Sequence, residues 1–474
     1  MIRRFNLIFA TDLNGLFGWN NKLPWHIKED LAHFNRTTRD TFNKNICVMG
    51  YNTCLSLPSK LDGRINIILS KKDFKSDKFD EKYIDLNNFI YNSHKYAPNQ
   101  KIFIIGGKSI IENCLTEYSN LIDTIYHTEI QHKFRHEDSN IYLNIDLLKK
   151  YEKYRETIVE KTFDYNINFH KYVLPKHEEF QYLELLNECI NKGDFRDTRN
   201  SKTYSLFNKS MTFDLTKGFP LFTTKKVHLR GIFEELMFFI RGQTDSKILE
   251  KKGINIWKPN TTKEFIDKVG LDYREGDMGP MYGFQWRHFN SFYMGCDHDY
   301  SNFGFDQLEY CLDLLMNDPH SRRILMTTYN PAQAKMGVLY PCHSIVIQFY
   351  VNENVSNGER KVSMNLYIRS NDFAVGNPYN VASNALLLHL ICNTLNARSG
   401  KNIYIPSKLN VLIGDLHVYQ QHTDGVTKQI NRMPYNFPTI KINKKLTKIE
   451  DYNWEDIELE NYFTHDPIKY LMIA

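Results

Sequence analysis

Residues 340–351 read "YPCHSIVIQFYV", a cysteine and a histidine set between a proline and an apolar run that predicts a buried strand. How Cys342 is read decides what the larger part of this chain is. A free cysteine usually behaves as a small buried hydrophobe, whereas a thiol near positive charge becomes a nucleophile. Its neighbours in sequence therefore matter. "NDPHSRRI" (317–324) puts Arg322 and Arg323 just before another strand. "YIRSNDFAVGNPYN" (367–380) collects Arg369, Ser370, Asn371, Asp372 and Asn380 ahead of a long apolar helix, and "GDLHVYQQH" (414–422) adds His417 and Tyr419. Each group alone is explained by solvated arginines, a helix cap or satisfied core side chains. All of them beside one Pro-Cys-His indicate a site. A Cys-His hydrolase is disfavoured, because Cys342 and His343, as neighbours along a strand, would point to opposite faces.

The 474 residues suffice for two or three domains with sizeable cores. Hydrophobic residues at 42% and charged residues at 24% are ordinary for a globular chain. A formal net charge of +5 suits small anionic ligands, and the absence of a basic tract interleaved with aromatics argues against nucleic acid as the main partner. "MIRRFNLIFATD" (1–12) is too short and interrupted for a signal peptide, and "ALLLHLIC" (385–392) is too short to span a bilayer. The eight cysteines form no CxxC pair and have no HxxxH companion, so the expectation is no metal, reduced thiols, no membrane and a cytoplasmic location.

The first third alternates strands and helices. "RFNLIFA" (4–10), "NICVMG" (45–50), "INIILS" (65–70) and "KIFIIGG" (101–107) predict strands of an α/β sheet, and "IKEDLAHFNRTTRD" (27–40) predicts a helix. "KKDFKSDKFDEK" (71–82) reads as a solvated loop. The alternation of "INFHKYVLP" stops at Pro175, and "FQYLELLNECINKG" (180–193) opens a new helical pattern. We therefore expect domains at 1–174 and 180–474, with a short linker at 175–179.

In the helix after Trp25, Ile27, Leu31 and Phe34 make an apolar stripe, and Asp30 lies within it while Glu29 points away. A carboxylate facing the core is costly unless it is satisfied, so Asp30 is either bonded to backbone or an acid that grips an amidine-like ligand edge. "IIGGKS" (104–109) places two glycines between a strand and a helix, where backbone N–H groups can meet a phosphate. It lacks the spacing of a Walker A loop.

Together, "GLFGWNNKLPWHIKEDLAHF" (15–34), "CVMGYNTCLSLP" (47–58), "LDGRINIILS" (61–70) and "IFIIGGKSIIE" (102–112) resemble dihydrofolate reductase in order and spacing. The resemblance implies that Asp30 grips the pterin and supports its protonation, braced by Thr128, with Ile8, Ala10, Phe34, Leu61 and Ile105 lining the pocket. Arg64 would pair with the folate α-carboxylate. NADPH would lie along Ala10, Gly18, Trp19, Gly50, Tyr51, Asn52, Thr53, Leu69, Ser70, Lys71, Gly106, Gly107, Lys108 and Ser109. The family's basic residue after "MG" is replaced by Tyr51 and Asn52, and Lys71 and Lys72 could supply the missing charge. A family tyrosine in the following helix is Ile111.

"FPLFTTKKVHLRGIFEEL" (219–236) and "GDMGPMYGFQWR" (276–287), with the Cys342, arginine and histidine motifs, resemble thymidylate synthase from about residue 180 onward. The order of the two parts is similar to bifunctional dihydrofolate reductase–thymidylate synthases. The resemblance implies that Cys342 adds to C6 of dUMP, creating an enolate that attacks 5,10-methylenetetrahydrofolate. Nearby arginine charge would favour the thiolate. Arg369 and Ser370 would hold the dUMP phosphate with His343 close by, Arg322 and Arg323 would arrive from the second subunit of a homodimer, Asn380, His417 and Tyr419 would read uracil and ribose, and Asp372 would also lie at the dUMP site. In "GDFRDTRNSKTYSLF" (193–207) both Arg196 and Arg199 are candidates for a further phosphate contact. Glu235 would organise proton transfers and Tyr282 would help remove the C5 proton. Ile256, Trp257, Asp372, Gly376, Tyr379 and the terminal "LMIA" would meet the folate. "GNPYN" replaces a more usual "GLPFN", and Lys258 follows Trp257 where an aspartate is common.

The expected architecture is a mixed-sheet α/β reductase-like domain followed by an α+β synthase-like domain. The expected function is dUMP methylation coupled to dihydrofolate reduction. Two alternatives stand beside it: an active synthase carrying a scaffold-only reductase domain, and a regulatory or RNA-binding protein on an inactive synthase fold.

Overall fold

In the computed structural model the described residues are 2–136, 138–162, 164–198, 201–353 and 357–471. They form two compact units, one ending at His177 and the other beginning at Glu178. The first unit holds strands β1 (Phe5–Asp12), β2 (Leu16–Trp19), β3 (Asn45–Gly50), β4 (Arg64–Leu69), β5 (Glu81–Tyr83), β6 (Ile102–Gly106), β7 (Ile122–Ile130), β8 (Asn140–Tyr142), β9 (Arg155–Lys161) and β10 (Asn166–Val173). Eight of them make one sheet in the order β5-β4-β3-β6-β1-β7-β10-β9. The pairings are parallel from β5 to β7 and antiparallel beyond it, so the sheet is mixed. β1 is central and buried along its whole length, with apolar residues at 7–10 and the polar Asn6, Thr11 and Asp12 buried towards its ends. At the far edge every residue of β9, "RETIVEK", is exposed, and its charged ends discourage further pairing.

The helix Lys28–Thr38 departs from the expected apolar stripe. Leu31 is 40% exposed, and the helix's buried residues are Asp30 and Thr38. Of the expected stripe, Ile27 is buried and Phe34 packs against the core, so it is Leu31 alone that turns outward.

The second unit begins with the helix Glu179–Lys192. Glu179, assigned from sequence to the linker, is wholly buried and accepts bonds from the amide and hydroxyl of both Thr223 and Thr224, at 2.6–2.9 Å. The sheet of this unit contains β11 (Asp194–Asp197), β12 (Lys202–Asp214), β13 (Leu325–Thr327), β14 (Val346–Glu353), β15 (Arg360–Asp372) and β16 (Tyr404–Tyr419), in the order β11-β12-β16-β15-β14-β13. Among the described strands of this sheet, only the β15–β16 pairing is parallel. The helix Leu229–Ile240 buries nine of its twelve residues, Glu234 among them. The helix Gly376–Ser399 ends at Gly400, whose φ of +67° suits a left-handed cap.

β14 differs from the buried strand expected of "SIVIQFYV". Its residues alternate between exposed and buried, so one face of the sheet is open. Leu325, Val346, Tyr350, Tyr367 and Leu412 are exposed on that face. A groove of about 850 Å³ there is lined by Arg322, His320, Tyr350 and Asn365 among others.

Candidate functional site

Cys342 lies ahead of β14, not within it, so the strand argument about opposite faces does not hold. His343 is separated from the thiol by its own contacts: its ring stacks on Tyr282 with centroids 4.5 Å apart, and its Nδ1 is 3.3 Å from Ser344 Oγ. Burial holds His343 down to about 4, so it is neutral at neutral pH. The Cys342 sulfur is 3.6 Å from the Tyr282 hydroxyl. Its carbonyl receives the amides of Arg369 at 2.9 Å and Ser370 at 3.3 Å, which ties the thiol loop to the end of β15. The Arg369 guanidinium donates to the Pro341 carbonyl at 3.1 and 3.2 Å. Within this chain burial pushes the thiol up, while Tyr282 and the Arg369 charge pull it down. The expected arginine effect is therefore present but outweighed by desolvation.

Glu235 accepts the Trp257 indole N–H at 2.8 Å, and burial raises it to about 7 against the pull of that bond. Its neighbour Glu234 takes a separate role, paired with Lys252 at 2.5 Å. Trp257 and Phe239 pack on the Tyr282 ring at 5.7 and 4.9 Å, so Glu235, Tyr282 and Cys342 belong to one cluster. β15 and β16 bring the polar set together by register: Ser370 faces Asp415, and Asp372 faces His417. His417 Nδ1 is 3.0 Å from Asp415, which lowers that carboxyl. The His417 and Tyr419 rings are 5.4 Å apart. Asn380 and Gly376 share the first turn of the following helix beside Asp372, and Tyr379 and Ile256 are partly buried.

Arg196 is on β11 and already bonded to Asp415 and Asp194, both at 3.3 Å. Arg199 and residues 472–474 of the terminal motif lie outside the described residues. Arg322 and Arg323 are exposed between the helix Gln307–Asn317 and β13; among the described residues neither bonds to Cys342, Arg369 or Ser370.

In the first unit, Asp30 is 7% exposed. Burial raises its carboxyl, opposed by hydrogen bonds from Thr128 and Trp25, the latter at 3.5 Å. Thr128 reaches it because β7 pairs with β1 at Ala10. Ile8 sits in the core cluster against which Phe34, Leu61 and Ile105 pack. Arg64, 8% exposed, donates to Thr38 Oγ1 and the Asp62 carbonyl at 2.9 Å. Asp62 gives its carboxylate to Arg39 instead, at 2.7 Å. The structure thus records no ion pair for Arg64 among the described residues, and its guanidinium offers a fork for an anion.

Gly50, Tyr51, Asn52 and Thr53 form the turn from β3 into the helix Tyr51–Ser56. Leu69 ends β4 and Ser70 and Lys71 follow it, while Gly18 and Trp19 end β2. Gly106 has φ +145°, and a Cβ there would stand 3.1 Å from Thr53 Oγ1. Gly107 then opens the helix Lys108–Thr116, whose first turn, with Ser109, has no side-chain cap. The Lys72 ammonium is 5.1 Å from the Tyr51 ring centre.

Some buried groups of the second unit were not singled out from sequence. Lys225 is buried, bonded to the Ala374 carbonyl at 2.5 Å and held down to about 8 by desolvation. The only signal was "TTKK" inside an apolar stretch. Asp245, Cys296 and Asp297 also converge, but Arg274 bonds both carboxylates, at 3.0 and 2.6 Å.

A thymidylate synthase family model matches residues 180–474, and a dihydrofolate reductase model matches residues 4–174. The chain is 38% identical to a bifunctional dihydrofolate reductase-thymidylate synthase of Paramecium tetraurelia, over 99% of both chains. It is 34% identical to one of Zea mays, over 99% of this chain and 97% of that one, and 32% identical to one of Leishmania major, over 99% and 95%. With both family matches in chain order and full-length similarity to such proteins, the chain belongs to the bifunctional dihydrofolate reductase–thymidylate synthase family.

Proposed function

We propose that the second unit converts dUMP and 5,10-methylenetetrahydrofolate into dTMP and dihydrofolate, and that the first unit reduces dihydrofolate with NADPH. The observation that carries this reading is the Cys342 thiol beside the Tyr282 hydroxyl, anchored to the Arg369–Ser370 amides. In this reading Cys342 Sγ forms the bond to C6 of dUMP. Ring electrons move to the C4 oxygen, and C5 becomes the nucleophile for the methylene carbon. Arg369 and Ser370 hold the phosphate, with Arg196 or Arg199 adding charge. Asn380, His417 and Tyr419 orient the base and sugar. Tyr282 accepts the C5 proton through its hydroxyl network. Glu235, raised to about 7, can hold or release a proton near neutral pH. Asp372, Ile256, Trp257, Gly376 and Tyr379 form the folate wall.

In the reductase unit Asp30 binds the pterin edge and, being raised by burial, retains a proton more readily than a solvated carboxyl. Arg64 receives the folate α-carboxylate. The residues present fit NADPH: the space a Gly106 Cβ would fill and the uncapped helix start at Gly107 suit a pyrophosphate. Lys72 beside Tyr51 provides the cation for a 2′-phosphate. When bound, NADPH supplies the hydride. Ile111, where the family has a tyrosine, is fully buried in this unit's core, and nothing favours a scaffold-only reductase.

A homodimer through the open sheet face completes the synthase site. Exposed apolar residues on that face and Arg322 in its groove support this arrangement. In it Arg322 and Arg323 add positive charge near the partner's thiol, opposing the desolvation that raises Cys342. No helix among the described residues is long and apolar enough to cross a membrane. We place the protein in the cytoplasm on its unpaired cysteines, six of which are buried.

The test follows near-ultraviolet absorbance of purified protein with dUMP and methylenetetrahydrofolate, then with NADPH. A rise as dihydrofolate forms and a fall as NADPH is consumed are expected. A rise with no later fall overturns the reductase half; no rise overturns the synthase half.

A further inference from the structure

The segment 461–471 has no regular secondary structure, yet it is held closely to the second unit. The His465 amide donates to the Thr223 carbonyl at 2.9 Å. Arg432 bridges the carbonyls of Thr224 and Asp466 at 2.8 and 2.7 Å. His422 Nε2 lies 2.8 Å from the Leu471 carbonyl.

Tyr470 has the most specific seat. Its ring centre is 4.7 Å from the Lys225 ammonium and 5.0 Å from the His422 ring, which meets it edge-on. Its hydroxyl donates to Gln429 Oε1 at 3.1 Å. Gly425 makes the close approach possible, since a Cβ there would come within 2.5 Å of the Tyr470 ring. A cation over the face, a neighbouring ring and one acceptor for the phenol define a site for this side chain.

Two members of that seat reach the end of β15 and the turn after it. Lys225 donates to the Ala374 carbonyl at 2.5 Å, and His422 Nδ1 stands 4.0 Å from Asp372 Oδ1. Asp372 belongs to the proposed folate wall. A third member, Gln429, donates to Thr224 Oγ1 at 3.0 Å, and Thr224 in turn bonds the buried Glu179 at 2.6 Å. The seat is thus tied on one side to a buried polar network and on the other to the end of β15, which carries Asp372.

We infer that Tyr470 is a positioning residue for the folate step: it pins the C-terminal segment to Lys225, His422 and Gln429, so that the seating of this segment and the placement of Asp372 are coupled. The inference rests on the synthase reading above. Tyr470 touches no substrate in this scheme, and its effect passes through Asp372 at the end of β15 and the turn that follows it.

The test uses the full-length protein and the variants Tyr470→Ala, Tyr470→Phe, Gly425→Ala and the Tyr470→Ala/Gly425→Ala double, each checked for unchanged thermal melting. Losing the cation–ring contact and the phenol bond should raise the KM for methylenetetrahydrofolate about tenfold. Binding of dUMP should stay within about twofold, because the nucleotide side is reached only indirectly. Tyr470→Phe should recover most of the loss. Gly425→Ala should reproduce Tyr470→Ala by expelling the ring, and the double variant should be no worse than either single. An unchanged folate KM in Tyr470→Ala, equal weakening of dUMP and folate, or additive effects in the double variant would overturn the inference while leaving an active wild type. A wild type that makes no dTMP would overturn the synthase reading and this inference with it.

Discussion

The Tyr282 hydroxyl stands 3.6 Å from the Cys342 sulfur and also accepts the Cys342 amide proton at 3.4 Å. Tyr282 holds this place from a left-handed backbone conformation, with φ +38°, that a non-glycine residue rarely adopts. The phenol is a donor that lowers the thiol, so Tyr282→Phe should move Cys342 further up. The pH profile of its alkylation by iodoacetamide should shift to higher pH. Formation of dTMP should fall about 100-fold or more, since a proton-transfer group is lost. An unshifted alkylation profile would show that the hydroxyl does not bear on the thiol.

Glu235 links the site to stability. Its carboxyl is raised to about 7, so the folded state binds the proton more tightly than the unfolded chain does. Stability from this group is therefore complete below the ordinary glutamate range and is lost as pH rises towards 7. The loss is at most about 3.5 kcal/mol, from ~1.4 kcal/mol per unit of pKa difference. Glu235→Gln should flatten that part of the stability–pH curve measured by urea unfolding while abolishing most dTMP formation. A curve of unchanged slope would count against the raised carboxyl.

Asp30 should show activity and stability moving in opposite directions. Its carboxyl is raised chiefly by burial, so ionising it costs folding free energy that an amide avoids. Asp30→Asn should melt higher at neutral pH than at low pH, relative to the parent. Dihydrofolate reduction should drop by about 100-fold or more while dTMP formation is retained. Reductase activity surviving in this variant would remove Asp30 from the chemistry.

Asn377 is a departure from the family pattern with a structural cost. It is fully buried, and neither amide atom of its side chain has a hydrogen-bond partner among the described residues. Asn377→Leu restores an apolar group of similar volume and should raise stability by about 1–3 kcal/mol. Destabilisation in chemical unfolding would mean that the amide is satisfied in the folded protein.

The proposed shared site makes a complementation test available. Cys342→Ser and the Arg322→Ala/Arg323→Ala double variant should each be nearly inactive in dTMP formation. Mixed and refolded together, they should regain about a quarter of wild-type activity, because half of the subunits enter mixed dimers and each mixed dimer carries one complete site. No recovery in a mixture shown to exchange subunits would rule out arginines supplied by the partner.

Much of this was legible in the chain itself. Strands such as β3 coincide with "NICVMG", and Asp30 stood out because a carboxylate interrupted an apolar helical face. The chemistry at Cys342 was legible because its partners are short, polar and rare in combination, so local motifs suffice to name them. What depended on long-range packing was read less well. "SIVIQFYV" looked like a buried strand, yet alternate residues of β14 are exposed, because strand burial depends on whether a second layer covers the sheet face. Leu31 looked like core and is exposed for the same kind of reason. Glu179 could not be distinguished from a linker residue, since the threonines that bury its charge come 44 and 45 residues later.

The sequence by itself determined the order of the two units, their family and the residue types available for chemistry, since these follow from local patterns and motif spacing. Only the tertiary structure decided that Tyr282 reaches Cys342, that Asp62 turns to Arg39 and leaves Arg64 available, and that Tyr470 sits on Lys225 and His422. Each of these joins groups far apart in the chain. Their distances are set by sheet register and core packing, which only the folded chain defines.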